Sequence, residues 1–130
     1  MRLAVNKGGE TEDPGDDQVF QGYQGHYCSL PSRVDPYIVA CSFIMSGLRV
    51  FDIRDPKHPK EIAYFNDPLL PGEHPTIPSK AGSFAMSAPA YDYDTGDIWY
   101  TDGNSGYYVV RLTKAAGAKK FARKIKYPGN

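Results

Sequence analysis

A gapless internal repeat constrains this chain more than any other feature of it. Ser46-Gly47-Leu48-Arg49-Val50-Phe51-Asp52-Ile53 lines up with Ser105-Gly106-Tyr107-Tyr108-Val109-Val110-Arg111-Leu112. Another strand-like run precedes each copy at nearly the same distance, Ile38-Val39-Ala40 before the first and Ile98-Trp99-Tyr100 before the second. A unit of strand, hairpin and strand that recurs along a chain is the mark of an array of small sheets, as in β-propellers. The run Leu48 to Ile53 also carries apolar groups on both faces. That pattern suits a sheet covered on both sides, because a half-exposed sheet alternates more cleanly. The expected fold class is therefore all-β, with antiparallel sheets forming a partial β-propeller of about two blades. A small β-sandwich is the alternative, since the same strands can build one.

Turn chemistry divides the chain in the same way. Glycine and proline are frequent (13 and 11 residues), and ten tyrosines with six phenylalanines suit pleated surfaces better than helices. Strands are expected at Leu3 to Val5, Tyr23 to Cys28, Tyr37 to Phe43, Leu48 to Ile53, Glu61 to Phe65, Ser83 to Tyr91, Ile98 to Thr101 and Tyr107 to Leu112. Met45-Ser46-Gly47, Asp94-Thr95-Gly96 and Asp102 to Gly106 supply hairpin turns, and Arg54 to Pro59 is a proline-flanked turn. Between Asn66 and Gly82, Pro68, Pro71, Pro75 and Pro78 exclude a central strand, because proline has no ladder donor. The organisation expected is an N-terminal strand and acidic loop (1–18), a first blade (19–66), a Pro-rich loop (67–82), and a closing blade with a basic tail (83–130). Within that tail, 113–126 reads as a basic strand or a short helix.

The formal charge is zero, which gives no general attraction to nucleic acid or an anionic membrane. Charge is nonetheless polarised along the chain. Glu10, Glu12, Asp13, Asp16 and Asp17 crowd the start, while Lys114, Lys119, Lys120, Arg123, Lys124 and Lys126 fill the end. Two solvated ends explain this; so does an approach of one end to the other, or of the basic tail to an acidic partner. No stretch reaches the roughly 20 apolar residues of a membrane helix. The opening residues Met1 to Lys7 have neither the apolar core nor the cleavage site of a secretory signal.

Two segments carry a resemblance to a known family. Gly47-Leu48-Arg49-Val50-Phe51-Asp52-Ile53-Arg54-Asp55-Pro56 and Pro59-Lys60-Glu61-Ile62-Ala63-Tyr64-Phe65-Asn66 resemble the LVIVD-repeat β-propeller proteins. The later run Gly96 to Leu112 resembles the closing blade of such proteins. The resemblance covers roughly residues 19–112. It implies a propeller fold and an exported parent, secreted or at the cell surface, and it implies no reaction. A closed propeller needs at least about four blades, so the chain is expected to be a C-terminal fragment of a longer protein, or to close a ring by assembly.

Cys28 and Cys41 are the only cysteines, and they fall in strands joined by a short connection. Pairing of those strands would set them side by side, as a disulfide or as two buried thiols; the exported parent that the resemblance implies favours the disulfide. The pair lacks the C-x-x-C spacing of a redox site. His26 and His74 are weak candidates for a metal or catalytic site, since a site would need at least two such residues to converge with a carboxylate. Asp92-Tyr93-Asp94-Thr95-Gly96-Asp97 has the acidity of a calcium loop, but its glycine is fifth rather than sixth, and Gly103 stands where a bidentate glutamate belongs. A hairpin turn accounts for it. No G-x-S-x-G elbow and no phosphate-cradling glycine loop occurs.

No cofactor is implied, and no catalytic set is visible. The function expected is that of a non-enzymatic protein-binding module. The alternative is a fragment of a propeller hydrolase or oxidoreductase with a channel site near His26. Leu48, Val50, Phe51, Val109 and Val110 are too apolar for a sheet wet on both sides, so the partners expected are missing propeller blades or a second copy of the chain.

Overall fold

The computed structural model describes residues 21–67, Gly72 and residues 83–113. Among these residues there are strands and no helix. The strands are β1 (Gly25–Ser29), β2 (Ile38–Phe43), β3 (Gly47–Asp52), β4 (Lys60–Phe65), β5 (Ala90–Tyr91), β6 (Asp97–Asp102) and β7 (Gly106–Arg111). They build two antiparallel sheets: sheet A, in the order β1-β2-β3-β4, and sheet B, in the order β5-β6-β7. The all-β expectation is met. The expected strand Leu3 to Val5, the acidic loop, most of the Pro-rich loop and the tail from Lys114 onward lie outside the described residues.

The sequence repeat is one hairpin made twice. In sheet A, the Ser46 N–H donates to the Phe43 carbonyl at 3.0 Å, and Gly47, at φ 69°, pairs with Phe43. In sheet B, Gly106, at φ 106°, pairs with Asp102 in the same way. A turn followed by a left-handed residue is a common three-residue hairpin, and glycine takes that conformation without strain. Asp102 reinforces the second turn, its carboxylate accepting the N–H groups of Asn104 (2.9 Å) and Ser105 (3.2 Å).

The two glycines differ in what surrounds them. A Cβ on Gly47 would lie 2.2 Å from the Phe65 carbonyl oxygen, whereas a Cβ on Gly106 would meet nothing within 4 Å. Gly106→Ala is therefore expected to cost only the backbone strain, about 1–2 kcal/mol. Gly47→Ala must also push the end of β4 aside and should cost clearly more. Urea denaturation of the two variants side by side measures the difference.

The expected strand Ser83 to Tyr91 is corrected. Only Ala90 and Tyr91 pair as a strand, and Ala85 forms an isolated bridge to Asp102. Pro89 brings no N–H to the ladder, and the Ser87 side chain replaces backbone pairing. Its hydroxyl accepts from the Thr101 N–H at 2.8 Å and donates to the Thr101 carbonyl at 3.0 Å. Strand β1 starts later than expected, at Gly25, after a turn in which Gln21 has φ 60° and the Gln24 N–H bonds to the Gly22 carbonyl.

The sheets enclose one core. Ile38, Ala40, Leu48, Val50 and Ala63 of sheet A pack with Ala85, Ile98, Tyr100, Val110 and Leu112. Polar bonds cross the same interface. The Tyr91 hydroxyl donates to the Ser29 carbonyl (2.7 Å) and accepts the Ala40 N–H (3.0 Å). Burial raises the Tyr91 pKa, so the hydroxyl stays a neutral donor. Ser42 donates to the Ser87 carbonyl at 2.6 Å.

Candidate functional site

The two copies of the repeat bury opposite faces. The hairpin registers match: Phe43 pairs with Gly47 and Ile38 with Asp52, as Asp102 pairs with Gly106 and Asp97 with Arg111. By that register Ala40, Leu48 and Val50 of sheet A correspond to Trp99, Tyr107 and Val109 of sheet B. The first three have no exposed surface, while Trp99, Tyr107 and Val109 are 39%, 57% and 46% exposed. The other faces differ less, since the far face of sheet A keeps Cys41 and Arg49 buried. Ile98 and Val110 are buried in the core, and their counterparts Val39 and Phe51 are only half-buried on the far side of sheet A. The sheets are thus stacked in one sense, the inner face of one against the opposite face of the next. A symmetric face-to-face pair would bury equal positions.

Among the described residues, nothing covers the other face of sheet B. Ala90, Trp99, Thr101, Tyr107, Val109 and Arg111 line it and are all exposed. The Trp99 and Tyr107 rings meet edge to face with centroids 6.2 Å apart. Asp97 and Arg111 close one end of the face with a two-pronged pair, Nε to Oδ1 at 2.6 Å and Nη2 to Oδ2 at 2.8 Å. The Arg111 bond is the main reason the Asp97 carboxyl lies below its ordinary pKa.

The far face of sheet A is built differently. Cys28, Cys41, Arg49 and Tyr64 form one row across β1 to β4, by the pairings Cys28 with Cys41, Cys41 with Arg49, and Arg49 with Tyr64. Cys28 and Cys41 form a disulfide with Cα atoms 4.0 Å apart. Beside it the Arg49 guanidinium lies between the Tyr23 ring (5.0 Å) and the Tyr64 ring (4.7 Å). It donates from Nη1 to Glu61 at 3.3 Å and from Nε to the Ser46 carbonyl at 2.8 Å. The Tyr23 hydroxyl donates to the other Glu61 oxygen. Both charged side chains have no exposed surface.

The ion pair was not foreseen from the sequence, and the reason is a bulge. Pairing slips between Val50 and Phe51 against β4, so Glu61 stands opposite Phe51 and on the same face as Arg49. An unbroken register would have put Glu61 opposite Asp52, on the core face. Two opposite charges within neighbouring strands were the available signal.

The disulfide ties edge strand β1, whose residues Gly25 to Cys28 are exposed, to the sheet. It spans a sequence separation of 13, for which chain-entropy reasoning gives about 3 kcal/mol. Reduction should lower stability by about that amount, as read from urea melts with and without reductant.

The remaining candidates are dispersed. His26 is exposed on β1, its Nδ1 3.2 Å from the Met86 carbonyl and its ring edge-on to Tyr27. His74 lies outside the described residues. Among the described residues no three of His, Cys, Asp and Glu gather as metal ligands. The Asp92 carboxylate accepts the N–H groups of Asp94 (2.9 Å) and Thr95 (3.1 Å), and Gly96 has φ 76°, so this acidic run makes a hairpin turn. No helix among the described residues is long and apolar enough to cross a membrane.

No family model matches the chain, and no curated protein matches it.

Proposed function

We propose that the chain is a non-enzymatic interaction module, two blades of an LVIVD-type β-propeller whose open sheet face binds protein. The observation that carries this reading is the opposite burial of equal positions in the two sheets. In a propeller each blade covers the next with the same sense of stacking, so a two-blade piece leaves one face of its last blade waiting for cover. A small sandwich built as a symmetric pair of hairpins would bury Ala40, Leu48 and Val50 together with Trp99, Tyr107 and Val109. The sequence resemblance over residues 19–112 supports the family assignment, and the Cys28–Cys41 disulfide fits an exported parent.

Trp99 is the only tryptophan of the chain and sits in the middle of the open face. Its emission therefore reports on whether that face is covered. The expected result is a blue shift as the protein is concentrated through the micromolar range, abolished by Tyr107→Lys. Emission that stays that of a wet indole at every concentration, with no binding of a hydrophobic dye, would refute the interaction role of this face.

A further inference from the structure

We infer that the outer edge of β7 pairs with the same edge of a second copy of this chain, antiparallel and centred on Val109, so that two copies of sheet B become one continuous sheet. The inference concerns the edge of sheet B, whereas the proposed binding surface is its face, and neither rests on the other. The repeat shows that the place is open. In sheet A, β3 pairs with β2 on one side and with β4 on the other. β7 holds the place of β3 in the second hairpin, and among the described residues it pairs with β6 alone. Thr101 reveals which backbone groups β7 turns outward. Its N–H and carbonyl bond to the Ser87 hydroxyl (2.8 and 3.0 Å), on the β5 side of β6. Thr101 and Tyr107 therefore exchange no backbone bonds. By the alternation of an antiparallel ladder, neither do Trp99 with Val109 or Asp97 with Arg111. The N–H and C=O groups of Tyr107, Val109 and Arg111 thus point away from β6.

These three residues are symmetric about Val109. When two copies pair antiparallel across a two-fold axis, Val109 stands opposite its twin and Tyr107 opposite Arg111, so the outward groups of all three meet partners. The side chains suit that register. Tyr107, Val109 and the Arg111 side chain are 57%, 46% and 61% exposed. Pairing sets the guanidinium of one copy beside the Tyr107 ring of the other, a cation–π contact. The Arg111 charge stays matched by Asp97 of its own chain. The other edges are guarded against addition. β1 carries a register shift after Gly25, β5 has only two residues and follows Pro89, and β4 holds Ile62 as an extra residue opposite the Val50–Phe51 step. β7 has no such guard. Its run Tyr107-Tyr108-Val109-Val110 is aromatic and β-branched, with no proline and no charge, the composition that favours edge pairing.

Amide hydrogen exchange tests the edge itself. The Tyr108 and Val110 N–H groups face β6 and should exchange slowly at every concentration. Those of Tyr107, Val109 and Arg111 should exchange fast in dilute protein, and slow by about tenfold or more as it is concentrated through the micromolar range. The register is tested with Val109→Cys, the native disulfide kept oxidised, and a bis-methanethiosulfonate crosslinker of about 5 Å reach, the Cβ separation across a strand pair. Val109→Cys should crosslink to itself. Tyr107→Cys should crosslink only when mixed with Arg111→Cys, a pair that also serves should Val109→Cys lose its β-sheet circular dichroism. Fast exchange of the three outward amides at every concentration would overturn the inference. If Trp99 emission still shifted with concentration, the face reading would stand without it. Slow exchange already in dilute monomer would show that the chain covers this edge with a segment of its own, which overturns the second copy as occupant. Protection without crosslinks at these positions would overturn the two-fold register.

Discussion

Val50→Asp should unfold the chain, and the same change at the equal position of the second repeat, Val109→Asp, should leave the fold intact. Val50 has no exposed surface and packs with Leu48, Ala63 and Val110 in the shared core. A carboxylate there has no partner, and its cost exceeds the roughly 4 kcal/mol that marks the severe class of substitutions. Small domains are stable by only about 5–15 kcal/mol, so most of the margin is lost. Val109 is nearly half exposed, and a charge there should move the stability of the isolated fold by no more than about 0.5 kcal/mol. The repeat makes this a controlled comparison, since both residues hold the same place in the same hairpin. Circular dichroism with urea denaturation separates the two variants, and similar losses in both would mean that the two sheets are not stacked as described.

The second large effect is expected at the buried ion pair. Glu61→Ala removes the carboxylate paired with the Arg49 guanidinium, which lies between two tyrosine rings with no exposed surface. Breaking one side of a buried pair costs about 3–5 kcal/mol, because the remaining charge stays desolvated. Replacing both partners by apolar groups of similar size should recover most of that loss, since the pair's attraction largely offsets its own desolvation. The double variant Arg49→Met with Glu61→Leu tests this. A urea midpoint for Glu61→Ala close to that of the parent protein would show that Arg49 finds water when its partner is removed.

Strand existence and hairpin positions were legible in the sequence because they are local. Ser46-Gly47 and Ser105-Gly106 mark the turns, and the flanking apolar runs do not suit a helix. The strand expected over Ser83 to Tyr91 failed because the Ser87 hydroxyl takes over the pairing of Thr101, which no local propensity reports. The disulfide was legible in part, since adjacency of two strands put Cys28 opposite Cys41, while the choice of bond over thiols leaned on the resemblance. What the sequence could not reveal was which face of each sheet is inward. Leu48, Val50 and Val110 were expected to need cover, and they have it; Val109 was expected to need it too, and it lies open. The difference is set by stacking between sheets, a long-range property. A one-residue bulge likewise moved Glu61 from one face to the other and created the Arg49 pair.

Sedimentation of the parent protein beside Val109→Asp at micromolar concentration decides whether the face of Trp99, Tyr107 and Val109, left open by one-way stacking, is an interaction surface. The expected result is a concentration-dependent assembly for the parent, weakened by added salt, and a folded monomer for the variant. A parent protein that remains a single monomeric species across the range, with a dry surface to hydrophobic dye, would contradict it.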